Sequence, residues 1–69
     1  MSVIKTIDLV GVSTSSWRDA AESALAEAAK TIRQIENMDI LGTSAVVKDG
    51  TIAEYHTEIR LSFRIERTG

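Results

Sequence analysis

The last third of the chain alternates between apolar and polar side chains from Glu54 to Glu66. Successive side chains of a β-strand point to opposite faces, so this pattern predicts one long strand with an apolar face and a charged face. The apolar face carries Tyr55, Thr57, Ile59, Leu61, Phe63 and Ile65. The charged face carries Glu54, His56, Glu58, Arg60, Ser62, Arg64 and Glu66. A strand from Thr51 to Ile65 is roughly 50 Å long at 3.3 Å per residue, and its apolar face must be covered along that length.

The first half of the chain predicts a strand followed by a helix. Val3–Val10 is apolar and rich in β-branched residues, and residues 11–16 form a turn rich in hydroxyl groups. Ser16 and Asp19 match an acidic capping box, in which Ser16 accepts from the Asp19 amide and the Asp19 carboxylate reaches back. Apolar side chains then recur at steps of three and four over Trp17–Ile35, which predicts one helix.

The remaining elements set the topology. Met38–Val47 is predicted to be a second strand, with a bulge or close backbone approach at Gly42. Asp49-Gly50 predicts a tight hairpin into the third strand. Because a helix joins the first two strands, the third strand fits between them in an antiparallel sheet of order 1-3-2. The predicted fold class is therefore α+β, a single βαββ domain over residues 1–69.

The length of the predicted helix points to an oligomer. The nineteen residues of Trp17–Ile35 cover only about 28 Å at 1.5 Å per residue, well short of the third strand. A chain of 69 residues also has a marginal core, and it has no cysteine for disulfides or thiolate metal sites. A curved sheet, a neighbouring subunit or both must cover the overhang, and self-association is the stabilising device that remains.

Composition narrows the class of function. The formal net charge is −2, with both signs spread along the chain, so no basic stripe for nucleic acid is present. No apolar run approaches the ~20 residues of a membrane span, and the N-terminal residues do not resemble a signal peptide. These features predict a cytoplasmic protein that binds neither nucleic acid nor membranes.

Several residues allow a sharper or a plainer interpretation. Trp17 could stack on a ligand, but its place in the apolar stripe favours packing or a subunit contact. His56 could be a general base, but its position between two glutamates favours a salt-linked or pocket-lining role. Residues 13–16 could bind phosphate before a helix, although capping fits better without a glycine-rich loop. Asp39 and His56 lack a recognisable nucleophile, so no catalytic residue and no enzyme activity are predicted.

The chain resembles the dodecin family over essentially its whole length. The resemblance rests on Asp8-Leu9-Val10-Gly11-Val12-Ser13, on Ser16-Trp17-Arg18-Asp19-Ala20-Ala21, on Asp49-Gly50 and on Ser62-Phe63-Arg64-Ile65-Glu66. Dodecins are βαββ subunits of hollow homododecamers, and many of them bind riboflavin or FMN in stacked pairs between subunits. The resemblance therefore implies a flavin-binding storage protein, with flavin as cofactor and further copies of the chain as partners.

The resemblance also implies a ligand site, residue by residue. The tryptophan that stacks on the flavin in this family is matched by Asn37, and the acidic residue two places later is matched by Asp39. A glutamine that follows an aromatic residue on the last strand is matched by His56, and the arginine of the terminal motif by Arg64. Asparagine has no π surface for stacking, so flavin binding is expected to be weakened.

The changed positions leave an alternative open. A branch of dodecins lacks the tryptophan and is described as binding calcium rather than flavin, and Met1-Ser2-Val3 and Ser15-Ser16-Trp17 are similar to it. Calcium needs several converging oxygens, and the candidate carboxylates show no loop with ligand spacing: Asp39, Asp49, Glu54 and Glu58. The alternatives are thus a flavin-free dodecin that binds calcium, another metal ion or another small ligand, and a purely structural assembly.

Overall fold

The computed structural model describes residues 2–66. The elements follow in the order β1 (Ser2–Ser13), α1 (Trp17–Ala29), β2 (Ile35–Lys48) and β3 (Thr51–Glu66). Both outer strands pair antiparallel with β3, giving one three-stranded sheet of order β1-β3-β2. The predicted α+β class, the βαββ order and the strand order are confirmed.

The hairpin between β2 and β3 forms where the sequence predicts it. Asp49 and Gly50 have φ of 52° and 76°, and positive φ at both central residues is what a type I′ turn requires. A register shift lies between Ile40 and Gly42 of β2, so the predicted bulge is confirmed next to Gly42. The bulge leaves Leu41 without a partner residue on β3.

The core lies between α1 and one face of the sheet. The apolar face of β3 contributes Ile59 and Leu61, both fully buried. The helix contributes a stripe of alanines: Ala20, Ala21, Ala24 and Ala28. Small side chains let the helix approach the sheet closely. A Cβ added at Gly11 of β1 would lie only 1.8 Å from the backbone oxygen of Ala20, so only glycine fits there.

The helix is shorter than the sequence predicts. It ends at Ala29 rather than Ile35, and β2 begins at Ile35 rather than Met38. Ile32 and Ile35 carry the helical spacing, yet they pack against the core from the connecting segment and from the start of β2. Ile32 and Ile35 therefore keep their contacts with the core although the helix has ended. Gln34, which has a φ of 61°, turns the chain toward β2.

The first strand is longer than predicted, and it ends at Ser13 rather than Val10. The helix cap that follows matches the prediction only in part. The Asp19 amide donates to Ser16 Oγ at 2.9 Å, as predicted. The Asp19 carboxylate does not reach back to the Ser16 amide; it accepts from Ser13 Oγ at 2.7 Å. Ser13 Oγ also accepts from the Ser15 and Ser16 amides, so this hydroxyl takes the capping role expected of Asp19.

The difference in length between α1 and β3 is larger than the sequence predicts. Thirteen residues of α1 extend about 20 Å, whereas sixteen residues of β3 extend about 53 Å. The longest dimension of the molecule is 59 Å. Beyond the helix, Val47 and Ile52 near the hairpin are 62% and 47% exposed. The subunit on its own leaves this part of its apolar surface uncovered.

Candidate functional site

The candidate ligand residues lie on the sheet face that points away from the helix. Thr57, Ile59 and Leu61 of β3 face α1, so the intervening residues of β3 face the other way. This surface is called the open face below, and His56 and Arg64 of β3 belong to it. Asn37 and Asp39 of β2 belong to it through the strand register, since they pair with Ser62 and Arg60.

Asn37 occupies an exposed position close to the start of β2. Its neighbours Glu36 and Met38 line an open pocket of about 460 Å³ with it, and Ile32 and Ile35 form part of the apolar wall. Leu25 and Ala29 of α1 also line this pocket, so it opens on the helix side of the sheet and is not part of the open face.

His56 lies further along the open face, between the two outer strands. Its register partners are Val12 of β1 and Ser44 of β2. The ring Nε2 donates to Glu54 Oε1 at 3.0 Å, and the imidazole is about 30% exposed. His56 also lines a second open pocket, of about 410 Å³, together with Glu58. These contacts agree with a salt-linked, pocket-lining histidine.

Arg64 is paired in two directions. Its Nε and Nη2 donate to the two carboxylate oxygens of Glu36 at 3.0 and 3.2 Å, and its Nη1 donates to Ser2 Oγ at 3.1 Å. The hydrogen bonds from Arg64 lower the pKa of the Glu36 carboxyl from its ordinary value of 4.5. A bidentate pair of this kind fixes the plane of the guanidinium group.

A second bidentate pair lies at the centre of the open face. Arg60 donates from Nε and Nη2 to the two carboxylate oxygens of Asp8 at 2.8 and 3.0 Å. These hydrogen bonds lower the pKa of the Asp8 carboxyl below its ordinary 3.8 and raise the pKa of the Arg60 guanidinium. On the other side of β3, Asp39 of β2 is the register partner of Arg60. Sequence reasoning missed both ion pairs because it did not fix the register of β1 and β2 against β3.

One subunit does not bring all four candidate residues together. Asn37 and Asp39 lie opposite Ser62 and Arg60, so they are close to Arg64 along β3. His56 is six residues from Ser62, which is roughly 20 Å along the strand. Asn37 and His56 also line separate pockets. A compact ligand on one subunit could therefore contact Asn37 or His56, but not both.

Trp17 lies on the helix side and packs within the subunit. Its ring meets Tyr55 edge to face at a centroid distance of 4.8 Å, and Nε1 donates to the Ser44 carbonyl at 2.8 Å. The Trp17 carbonyl accepts from Thr57 Oγ1, which ties the start of the helix to β3. The side chain remains 40% exposed beside an apolar groove between α1 and β2. These contacts support the packing interpretation of Trp17.

Comparisons with known proteins identify the family to which this fold belongs. A model of the family described as Dodecin matches residues 3–66. The dodecin of Thermus thermophilus is 30% identical over 66 residues, which cover 96% of each chain. The chain belongs to the dodecin family. The calcium dodecin of Mycobacterium tuberculosis is 29% identical over 65 residues, covering 94% of this chain and 92% of its own.

Solved dodecin structures share the fold. An arginine-to-alanine variant of Thermus thermophilus dodecin superposes with a TM-score of 0.91 at 28% identity, covering 97% of this chain and all of that one. Streptomyces coelicolor dodecin has the same TM-score at 22% identity, with 97% and 96% covered, which supports the fold alone. Dodecins form homo-oligomers that bind and store small ligands.

Two properties of the described residues bear on other functions. Within residues 2–66 no group of three or more His, Cys, Asp or Glu side chains converges to hold a metal ion. Over the same residues no helix is long and apolar enough to cross a membrane.

Proposed function

We propose that this dodecin is the subunit of a hollow, cytoplasmic homododecamer that binds and stores a flavin, riboflavin or FMN, in pockets between subunits. The observation that carries the proposal is the placement of Asn37, Asp39, His56 and Arg64 on the open face. Binding rather than catalysis is proposed, because the chain belongs to a family of binding and storage proteins.

The separation of Asn37 and His56 supports a site shared by two subunits. In a two-fold interface, each surface patch meets the same patch of the other copy in reversed order. Two open faces related in this way bring Asn37 close to His56 of the partner subunit, and the reverse. Apolar side chains on the same face, Ile4 and Val10, are 55% and 57% exposed and would be covered by the second copy.

Asn37 is proposed to weaken flavin binding. An aromatic pair contributes about 0.5–1.5 kcal/mol beyond the burial of its area, and an amide side chain offers no such surface. A pair of flavins in one pocket would lose one stacking partner each. His56 is the milder change, because imidazole can donate a hydrogen bond to the polar edge of a ring.

Titration of riboflavin against purified protein tests the proposal through the quenching of flavin fluorescence. The natural chain is expected to quench weakly, at micromolar or higher riboflavin, and Asn37→Trp to bind about tenfold tighter or more. Thr6→Trp is the matched control, because Thr6 faces Ser62 from the opposite side of β3 in the same row of the sheet. No quenching by either the natural chain or Asn37→Trp would overturn flavin storage.

A second candidate function is a flavin-free dodecin that holds calcium, another metal ion or a different small ligand at subunit junctions. The carboxylates of the open face beyond its two arginine pairs, Asp39, Glu54 and Glu58, favour this alternative. Elemental analysis of the purified assembly, followed by calcium calorimetry, tests it. Calcium bound to the natural chain and lost in Asp39→Asn would support the alternative, whereas a metal-free assembly without heat of binding would exclude it. Failure of both ligand tests would leave the purely structural assembly.

A further inference from the structure

The open face carries more negative than positive side chains. Among the described residues, its carboxylates outnumber its guanidinium groups by five to two. The carboxylates are Asp8, Glu36, Asp39, Glu54 and Glu58. The guanidinium groups are Arg60 and Arg64, and each is bound by a carboxylate through two hydrogen bonds. The arginines therefore do not make this face electropositive.

The pair between Glu36 and Arg64 matters most, because it lies beside the candidate stacking position Asn37. The carboxylate occupies Nε and Nη2, which together form the edge of the guanidinium group that binds a carboxylate or a phosphate in a bidentate way. A phosphate that displaced Glu36 would face a carboxylate at close range. The charges of Glu36 and Arg64 cancel, so the pair as a whole attracts an approaching anion only weakly.

We propose that Glu36 determines the ligand selectivity of the open face by keeping Arg64 in a neutral pair. The site then favours an uncharged ligand over the phosphorylated form of the same ligand, which for flavins means riboflavin over FMN. A phosphate monoester carries about −1.5 to −2 charges at neutral pH, so the excess of carboxylates on this face opposes it further. The choice of flavins rests on the proposed function, whereas the effect of Glu36 on anion binding at Arg64 does not.

Calorimetric titration of inorganic phosphate into the ligand-free assembly tests the effect of Glu36 without any flavin. The natural chain is expected to show no saturable binding at millimolar phosphate. Glu36→Gln removes the competing charge at constant size, and it is expected to bind phosphate at least about tenfold tighter. Adding Arg64→Gln to Glu36→Gln is expected to abolish that gain. A Glu36→Gln protein that binds phosphate no better than the natural chain would overturn the proposal.

Glu22→Gln is the matched control for charge. Glu22 pairs with Arg18 on the exposed surface of α1, and its substitution removes the same unit of negative charge on the opposite side of the sheet from Arg64. It is expected to leave phosphate binding unchanged. An equal gain in Glu22→Gln and Glu36→Gln would assign the effect to the net charge of the assembly and would contradict a specific role for Glu36.

The two flavins provide a second readout. The ratio of the FMN to the riboflavin dissociation constant is expected to exceed one in Asn37→Trp, and to fall about tenfold when Glu36→Gln is added. An unchanged ratio would contradict the role of Glu36 in selectivity. Absence of binding by either flavin would refute the proposed flavin storage, and the phosphate titration would still decide the claim about Glu36.

Discussion

On the helix side of the sheet, Ile59 and Leu61 are fully buried under a stripe of alanines, whereas Ile4 and Val10 on the open face remain more than half exposed. Beneath α1, apolar contacts within one subunit cover the sheet. The open face is held by cross-strand ion pairs and keeps apolar surface that the subunit cannot cover. The difference indicates that the packing beneath α1 determines the fold, while the open face keeps apolar side chains exposed beside its ion pairs.

The largest expected effect is on the helix side, at Gly11. Gly11→Ala places a Cβ against the Ala20 carbonyl, so the helix must move away from β1. Forcing atoms into a packed core costs about 1–3 kcal/mol and occasionally more, and contact with backbone puts this variant at the upper end. The midpoint of urea unfolding, measured at a fixed subunit concentration, is expected to fall sharply.

Gly42→Ala is the matched control for Gly11→Ala. Nothing in the subunit lies within 4 Å of a Cβ added at Gly42, so the free energy of unfolding is expected to change by less than about 0.5 kcal/mol. Equal losses in the two variants would contradict close packing of the helix as the reason for glycine at position 11.

A matched pair of isoleucines compares the two faces directly. Ile59→Ala removes a fully buried side chain and is expected to lower the free energy of unfolding by about 2–5 kcal/mol. Ile4→Ala, on the open face, is expected to cost less than Ile59→Ala, because Ile4 is 55% exposed in the subunit and only a second copy can cover it. Urea unfolding measures both, and an equal cost would show that neighbouring subunits bury the open face as fully as the helix buries the other.

The smallest expected effect concerns the ion pairs of the open face. Hydrogen bonds from Arg60 lower the pKa of Asp8 in the folded state. A lowered pKa adds stability that is present above the ordinary pKa of 3.8 and is lost as the pH falls through the folded-state value. Asp8→Asn is therefore expected to unfold with a shallower acid dependence below pH 3.8 than the natural chain, as followed by circular dichroism.

Asp49→Asn provides the control for this acid dependence, because Asp49 lies in the hairpin turn away from Arg60. Its acid unfolding curve is expected to run parallel to that of the natural chain. If Asp8→Asn also ran parallel, the ion pair with Arg60 would contribute nothing to stability in solution, as is common for exposed pairs.

The fold was largely predictable because its strongest signals are local. Alternation along β3, the Asp49-Gly50 turn and the Ser16 cap each specify their own element. The end of the helix was not predictable, because Ile32 keeps the helical spacing after α1 has ended and packs on the same core from a different conformation. Gln34 adopts a positive φ, a conformation that sequence patterns usually indicate by a glycine.

The candidate site was less predictable than the fold. The family resemblance supplied Asn37, Asp39, His56 and Arg64, but their roles stay predictions. Sequence reasoning could not find the pair between Glu36 and Arg64, since it depends on where β2 begins and on the register across the sheet. The distance between Asn37 and His56 follows only from the observed register, and it is the reason for proposing a site shared by two subunits.

Sedimentation velocity of the Asn37→Trp variant with riboflavin tests the central claim, that the ligand lies between subunits of a closed assembly. Protein and flavin are recorded separately, by the absorbance of the peptide bond and by the visible absorbance of the flavin. The account predicts that both sediment together at about 90 kDa, the mass of twelve 7.5 kDa subunits. Flavin sedimenting with a monomer, or a 90 kDa protein boundary that carries no flavin, would contradict it.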